Sequence, residues 1–209
     1  WESPWGLGFP GWHIECSAMS MKYLGEQFDL HLGGEDLKST HHPNEIAQSE
    51  ATTAKKPFVK YWMHGSFLLV DGVLMGKSLG NAYTLGYLEK MGIDLMALRF
   101  FYLTGHYRKQ INFTWESLGA AAEALSKLKR LVSSWKLGET GLQIYEDKFR
   151  LAIEDDFNMP NALATVWEMV KSENPEGAKN VSLLKMDEIL GLRLKESKTQ
   201  KTEEPKSDT

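Results

Sequence analysis

Apolar residues near the start of the chain recur with two different periods. Spacings of 4, 3 and 4 separate four of them, Trp12, Cys16, Met19 and Tyr23. This period predicts a helix that turns these residues inward and ends at Gly25. Three apolar residues then alternate with polar ones, namely Phe28, Leu30 and Leu32. That alternation predicts a short strand, which Gly33-Gly34 should terminate.

A second helix and a second strand follow. Ser39 or Thr40 can cap a helix that has Pro43 in its first turn and continues from 45 to 54. The apolar run 67–70, which ends in Asp71-Gly72, predicts the strand. Helices that alternate with strands indicate an α/β fold.

Beyond Thr84 the pattern is helical as far as the final segment. The ranges with helical spacing are 84–91, 94–104, 118–135, 145–155, 160–171 and 183–190. The helix at 118–135 carries a single apolar stripe, which is typical of a bundle. The final segment, 195–209, has no apolar residue, and we expect it to be disordered.

The composition of the chain restricts its expected partners and its expected location in the cell. The chain has 42% hydrophobic residues and a formal net charge of −4, so any RNA contact must use local basic clusters such as 107–109 or 127–130. We see no apolar run of membrane-spanning length and no signal-peptide pattern, and we therefore expect a cytoplasmic protein without membrane contact.

Cys16 is the only cysteine, so it cannot form an internal disulfide. It could be an apolar filler, a nucleophile or a metal ligand. His41 and Glu45 are four residues apart, and on a helix they would share one face. A thiolate, an imidazole and a carboxylate suit zinc and leave one position open. A buried cysteine beside a surface His–Glu pair is the ordinary alternative.

Three segments together resemble cysteinyl-tRNA synthetase, a class I aminoacyl-tRNA synthetase. They are GWHIECSAM at 11–19, LGEQFDLHLGGEDL at 24–37 and HHPNEIAQSEA at 41–51. The resemblance implies that Cys16, His41 and Glu45 bind Zn²⁺, together with a cysteine near the HIGH motif in an N-terminal half that we expect this chain to lack. It also implies that Trp12 and His31 line the pocket for L-cysteine. A thiophilic ion there would separate cysteine from serine, which apolar contacts cannot do well.

The same resemblance implies an ATP site. Gly33, Gly34 and Asp36 match the family's GGGxD loop, although Leu32 replaces its first glycine. The segment 75–81 resembles the KMSKSLGN loop, so Lys77 and Ser78 are expected to contact ATP with its Mg²⁺, and Lys77 to act in catalysis. The first lysine of that loop is lost to Leu74.

Two downstream segments complete the resemblance. Residues 98–108 are similar to the family's stem-contact region, and 155–163 to the entry of the helical bundle that docks tRNA. We therefore expect the later half of a Rossmann-like catalytic domain at 1–65, a stem-contact region at 66–112, a tRNA-binding bundle at 113–194 and a disordered tail at 195–209.

The implied function is cysteine–tRNA ligation, in which ATP activates L-cysteine for transfer to tRNA-Cys, by a partial or split chain. A separate N-terminal chain that contains the HIGH motif would then be a partner. Two alternatives stay open: a noncatalytic zinc- or tRNA-binding module, and a ligase that joins cysteine to an amino sugar.

Overall fold

The computed structural model describes residues 1–198. The chain divides into two compact units, one at Trp1–Phe67 and one that begins at Leu68. The second unit is not divided further, so the predicted boundary between a stem-contact region and a bundle stays a prediction.

The first unit is a small α/β unit. Its elements are strands β1 (Glu2–Ser3) and β2 (Gly6–Leu7), helix α1 (His13–Leu24), strand β3 (Phe28–Gly34), helix α2 (His41–Thr53) and strand β4 (Val59–Gly65), with a 3-10 helix at Glu35–Lys38. β1 and β2 pair antiparallel. β3 and β4 pair in parallel, with His31 beside Trp62 and Leu30 beside Tyr61. α1 and α2 lie where the sequence predicted helices.

The strand ends at Gly34, as the Gly33-Gly34 pair predicted, although β3 includes both glycines. Gly33 is required there by close approach. A Cβ on Gly33 would lie 2.5 Å from Cε1 of His42, which is buried on α2. The sequence also missed β4, where aromatic and polar residues are mixed without a clear alternation.

The apolar stripe of α1 is more exposed than predicted, although Cys16 faces α2. Trp12, Met19 and Tyr23 are 53%, 52% and 73% exposed, and the residue that α1 buries is Ser17. One face of the β3–β4 pair is similarly open, because Leu30, Leu32 and Tyr61 are exposed. Parallel strands are usually covered on both faces, so this unit presents an unusually large apolar surface.

The second unit begins with a three-stranded sheet. Its strands are β5 (Leu68–Val70), β6 (Val73–Leu74) and β7 (Ile111–Phe113), in the order β6-β5-β7. β7 runs parallel to β5, and the sequence analysis did not foresee it. A 3-10 helix at Lys77–Leu79 follows β6.

The described second unit also contains six α-helices. They are α3 (Leu85–Lys90), α4 (Leu95–Leu103), α5 (Trp115–Ser134), α6 (Gln143–Glu154), α7 (Met159–Lys171) and α8 (Glu176–Leu190). The predicted stripe of α5 is buried at Leu118, Ala121, Leu125, Leu128 and Val132. The helical predictions are therefore confirmed, although α8 begins earlier than expected.

The start of the predicted tail is wrong. A 3-10 helix at Leu194–Lys198 continues the fold past 195. Leu192 and Leu194 are fully buried, and their backbone N–H groups donate to the Asp187 carboxylate at 2.8 and 2.7 Å. Residues 199–209 of the predicted tail lie outside the described residues. Within 1–198, we find no helix with the length and apolarity needed to cross a membrane.

Candidate metal centre

Helices α1 and α2 pack together and bring three predicted ligands to one place. Cys16 comes from α1, and His41 and Glu45 come from α2. Their donor atoms all lie within 4.8 Å of one another. The two helices meet at Ser17, a small buried residue of α1. Its hydroxyl donates to Oε1 of Gln48 on α2 at 2.9 Å. The predicted cluster therefore exists as a cluster in space.

The carboxylate of Glu45 is fully buried between two imidazoles. Its Oε2 is hydrogen-bonded to Nε2 of His31 at 2.9 Å. Its Oε1 is 2.9 Å from Nε2 of His41 but has no hydrogen-bond partner among the residues that the structure describes. A buried carboxylate oxygen without a donor is costly, and a shared cation would satisfy it. The residues therefore fit a metal ion.

Two residues at the start of α1, Trp12 and His13, contact the His41 ring on the side away from Glu45. Its Nδ1 is 2.8 Å from Nδ1 of His13, and Trp12 stacks on its ring with centroids 3.6 Å apart. When His41 donates through Nδ1, its Nε2 keeps the lone pair that a metal needs. Sequence reasoning missed the role of His13, since nothing in its spacing separates it from a surface residue.

Without a bound cation, the surroundings favour the neutral forms of Cys16 and His41. Burial raises the pKa of the Cys16 thiol, and the charges of Glu45 and Glu15 add to that rise. Burial also lowers the pKa of His41, which the charge of Glu45 opposes. A bound cation would instead favour the thiolate.

A second set of possible ligands shares Glu45. His31, His42 and Glu45 also place donor atoms within 4.8 Å. Here, however, the contact between His31 and Glu45 is already a hydrogen bond. His42 is directed elsewhere, with Nδ1 2.8 Å from Nε2 of His64. Burial, followed by the nearby histidines, lowers the pKa of His42 to about 4. The set with Cys16 is thus the better cation site.

The predicted ATP-binding residues are divided between the two units. Gly33 and Gly34 lie in β3, and Asp36 lies in the following 3-10 helix. Lys77 and Ser78 are exposed in the 3-10 helix of the second unit. Asn81, which sequence reasoning did not single out, holds this loop: it accepts from the Gly76 N–H at 2.9 Å and donates to the Leu74 carbonyl at 3.2 Å.

Comparison with known proteins agrees with this architecture. Residues 1–123 match the tRNA synthetases class I (C) catalytic domain, and residues 148–195 match the DALR domain. Cysteine–tRNA ligase 1 of Burkholderia lata is 46% identical over 197 residues, which are 94% of this chain and 42% of the relative. Cysteine–tRNA ligase of Opitutus terrae is 46% identical over 205 residues, 98% of this chain and 44% of the relative. The chain thus spans less than half the length of these relatives.

A solved structure gives the same fold at low identity. The LeuRS of Agrobacterium radiobacter K84, in a ternary complex with tRNA and LeuAMS, matches with a TM-score of 0.62 and 16% identity. The match covers 82% of this chain and 27% of that one. The predicted combination of a Rossmann-like later half and a helical bundle is confirmed, and the chain belongs to the class I (C) tRNA synthetase family.

Proposed function

We propose that this chain is part of a cysteine–tRNA ligase and that Cys16, His41 and Glu45 bind Zn²⁺ in its amino-acid pocket. The observation that carries the proposal is the unsatisfied Oε1 of buried Glu45 beside Nε2 of His41. Relatives named cysteine–tRNA ligase, aligned over more than nine-tenths of the chain, support it. We expect this protein to act in the cytoplasm, where it would supply aminoacylated tRNA for translation.

A zinc ion here would supply the affinity for a thiolate that distinguishes L-cysteine from L-serine. The chain's own residues build the rest of the pocket. Trp12 covers one side of His41, and it is half exposed, so a substrate can reach it. His31 holds the second oxygen of Glu45 and leaves the first for the ion. We assign Trp12 and His31 to L-cysteine binding.

The ATP part of the proposal rests on fewer contacts. Gly33, Gly34 and Asp36 would approach the nucleotide, and Lys77 and Ser78 would contact the triphosphate and its Mg²⁺. An exposed lysine in a loop held by Asn81 can reach a polyanion without an internal ion pair to break; among residues 1–198, no carboxylate lies within ion-pair distance of Lys77.

Two partners complete the activity. A separate N-terminal chain containing the HIGH motif would cover the exposed face formed by Leu30, Leu32 and Tyr61. The helical second unit, which includes the DALR match, would dock tRNA-Cys. A ligase for an amino-sugar acceptor would have no use for such a bundle, which disfavours that alternative.

Metal content tests the proposal directly. The purified chain should carry about one zinc per molecule by elemental analysis. Cys16→Ser and His41→Ala should each lose most of it, whereas His106→Ala, which changes a histidine in the other unit, should keep it. Equal zinc in all four proteins would refute the site.

A second measurement separates binding from activity. The chain alone should not catalyse cysteine-dependent exchange of ATP and pyrophosphate, and adding an N-terminal half should restore it. Robust exchange by the chain alone would show that the proposed partner is unnecessary.

A further inference from the structure

Basic side chains line a groove between α5 and α7 in the second unit. Lys127 and Arg130 lie one turn apart on α5, and Trp167 and Lys171 lie one turn apart on α7. The ammonium of Lys127 sits over the ring of Trp167, 5.4 Å from its centroid. The groove therefore combines three cations with one half-buried indole.

These three cations have no acidic partner in the part of the chain that the structure describes. Within the described residues, no carboxylate lies within ion-pair distance of Lys127, Arg130 or Lys171. Other cations of the same helical unit are neutralised: Lys148 pairs with Glu168, Arg150 with Glu154 at 2.8 Å, and Lys185 with Glu146. The chain as a whole has a net charge of −4. The groove is therefore a positively charged region on a protein whose net charge is negative.

Glu123 is the one acid among the residues that line the groove. It precedes Lys127 by one turn of α5 but does not form an ion pair with it, so it opposes an anion without neutralising the cations. Three cations on two helices, with no ion pair to a described residue, suit an extended chain of phosphates better than a single small ion. The indole adds a surface on which a base or ribose can pack.

We propose that this groove binds the phosphate backbone of a tRNA, with Lys127, Arg130 and Lys171 as the phosphate contacts. The inference rests on the proposed function and adds to it the surface that the RNA occupies. Charge complementarity and the aromatic floor carry it.

The test compares two triple variants of the full chain that change the net charge equally. The groove variant is Lys127→Gln, Arg130→Gln and Lys171→Gln. The control is Lys148→Gln, Arg150→Gln and Lys185→Gln, which removes three paired cations of the same unit. Affinity for a fluorescent tRNA-Cys transcript is measured by anisotropy across a range of salt concentrations, after circular dichroism shows that both variants fold.

The groove variant should bind about 10- to 100-fold more weakly, and its salt slope should fall by about 3, one for each lost phosphate contact. The control should lose less than about 3-fold. Glu123→Gln should change affinity in the opposite direction and tighten binding a few-fold, which no general loss of structure can imitate.

Three results would overturn the inference. Equal losses in both triple variants would mean that only net charge matters, and unchanged affinity in the groove variant would place the RNA elsewhere. Competition by polyglutamate as effective as that by tRNA would mark a general polyanion site. If the unaltered chain does not bind tRNA while zinc remains bound, the tRNA part of the proposed function fails and the metal centre stands.

Discussion

Trp12 stacks on His41 with ring centroids 3.6 Å apart and planes 29° from parallel. This contact fixes the plane of the imidazole whose Nε2 faces Glu45. A metal ligand held in one orientation loses less freedom when the ion binds, and supporting residues of this kind typically change metal affinity by about 10- to 100-fold.

Trp12→Ala should therefore weaken zinc binding about 10-fold, even though Trp12 is not a ligand. Competition with a chromophoric zinc chelator measures the change. Trp5→Ala is the matched control, because Trp5 is 93% exposed in the same unit. Identical zinc affinity in the two variants would mean that the stacking does not support the site.

Gly33→Ala should destabilise the first unit by about 1–3 kcal/mol, because the added methyl would overlap the buried His42 ring. Gly65→Ala is the matched control: Gly65 ends β4, and a Cβ there would have no atom within 4 Å. Urea unfolding followed by near-UV circular dichroism measures both. If both variants unfold at the same urea concentration, the close approach is not limiting.

Asp156 gives a pH dependence to the second unit. Hydrogen bonds from Arg108 and then Tyr107 lower the pKa of this carboxyl from 3.8 to about 2. Since the folded state favours the carboxylate, the contribution is complete above about pH 4 and disappears as pH falls toward 2. Asp156→Asn should lower the unfolding temperature by about 1–4 °C at pH 7, with a difference that shrinks toward pH 2.

Asparagine is a clean replacement here because Asp156 has a φ of 53°, which asparagine tolerates. Calorimetric scans of both proteins between pH 7 and pH 2 provide the measurement. A constant difference across that range would show that the ionised carboxylate is not the source.

Lys77→Ala should slow adenylate formation about 100-fold once the chain is complemented by an N-terminal half, because the triphosphate gains charge contacts in the transition state. Cysteine binding should change little. Lys90→Ala, another exposed lysine of the second unit, is the control. Leu74→Lys, which restores the family's first lysine, should raise the rate. Pre-steady-state kinetics measures all three, and an unchanged rate in Lys77→Ala would remove this loop from the chemistry.

Helices were predictable here, and pairing between distant strands was not. The stripe on α5 gives a local signal with one period, so its buried face followed from spacing alone. β7 has three residues and finds its partner β5 some forty positions away. A local sequence pattern does not show which distant strands pair, because the pairing depends on how the intervening helices pack.

The clustering of the three candidate ligands was predictable in part for the same reason. His41 and Glu45 lie on one helix, so their four-residue spacing places them together. Cys16 was a candidate ligand from its residue type alone, and the family resemblance assigned it to this pair. His13 and His42 could not be assigned from the sequence, since their contacts with His41 and His64 exist only after α1, α2 and β4 have packed.

The separation of Cys16 and His41 along the chain has a mechanical consequence. An ion held by both would cross-link α1 to α2 across about 25 residues of chain. Because the ion would bind the folded site and not the unfolded chain, its binding free energy would add to the stability of the first unit. β3 lies inside that stretch of chain. A bound metal ion would hold α1 and α2 together in the first unit. We therefore expect a protease to cleave α1 more slowly in the zinc-loaded chain than in the zinc-free chain.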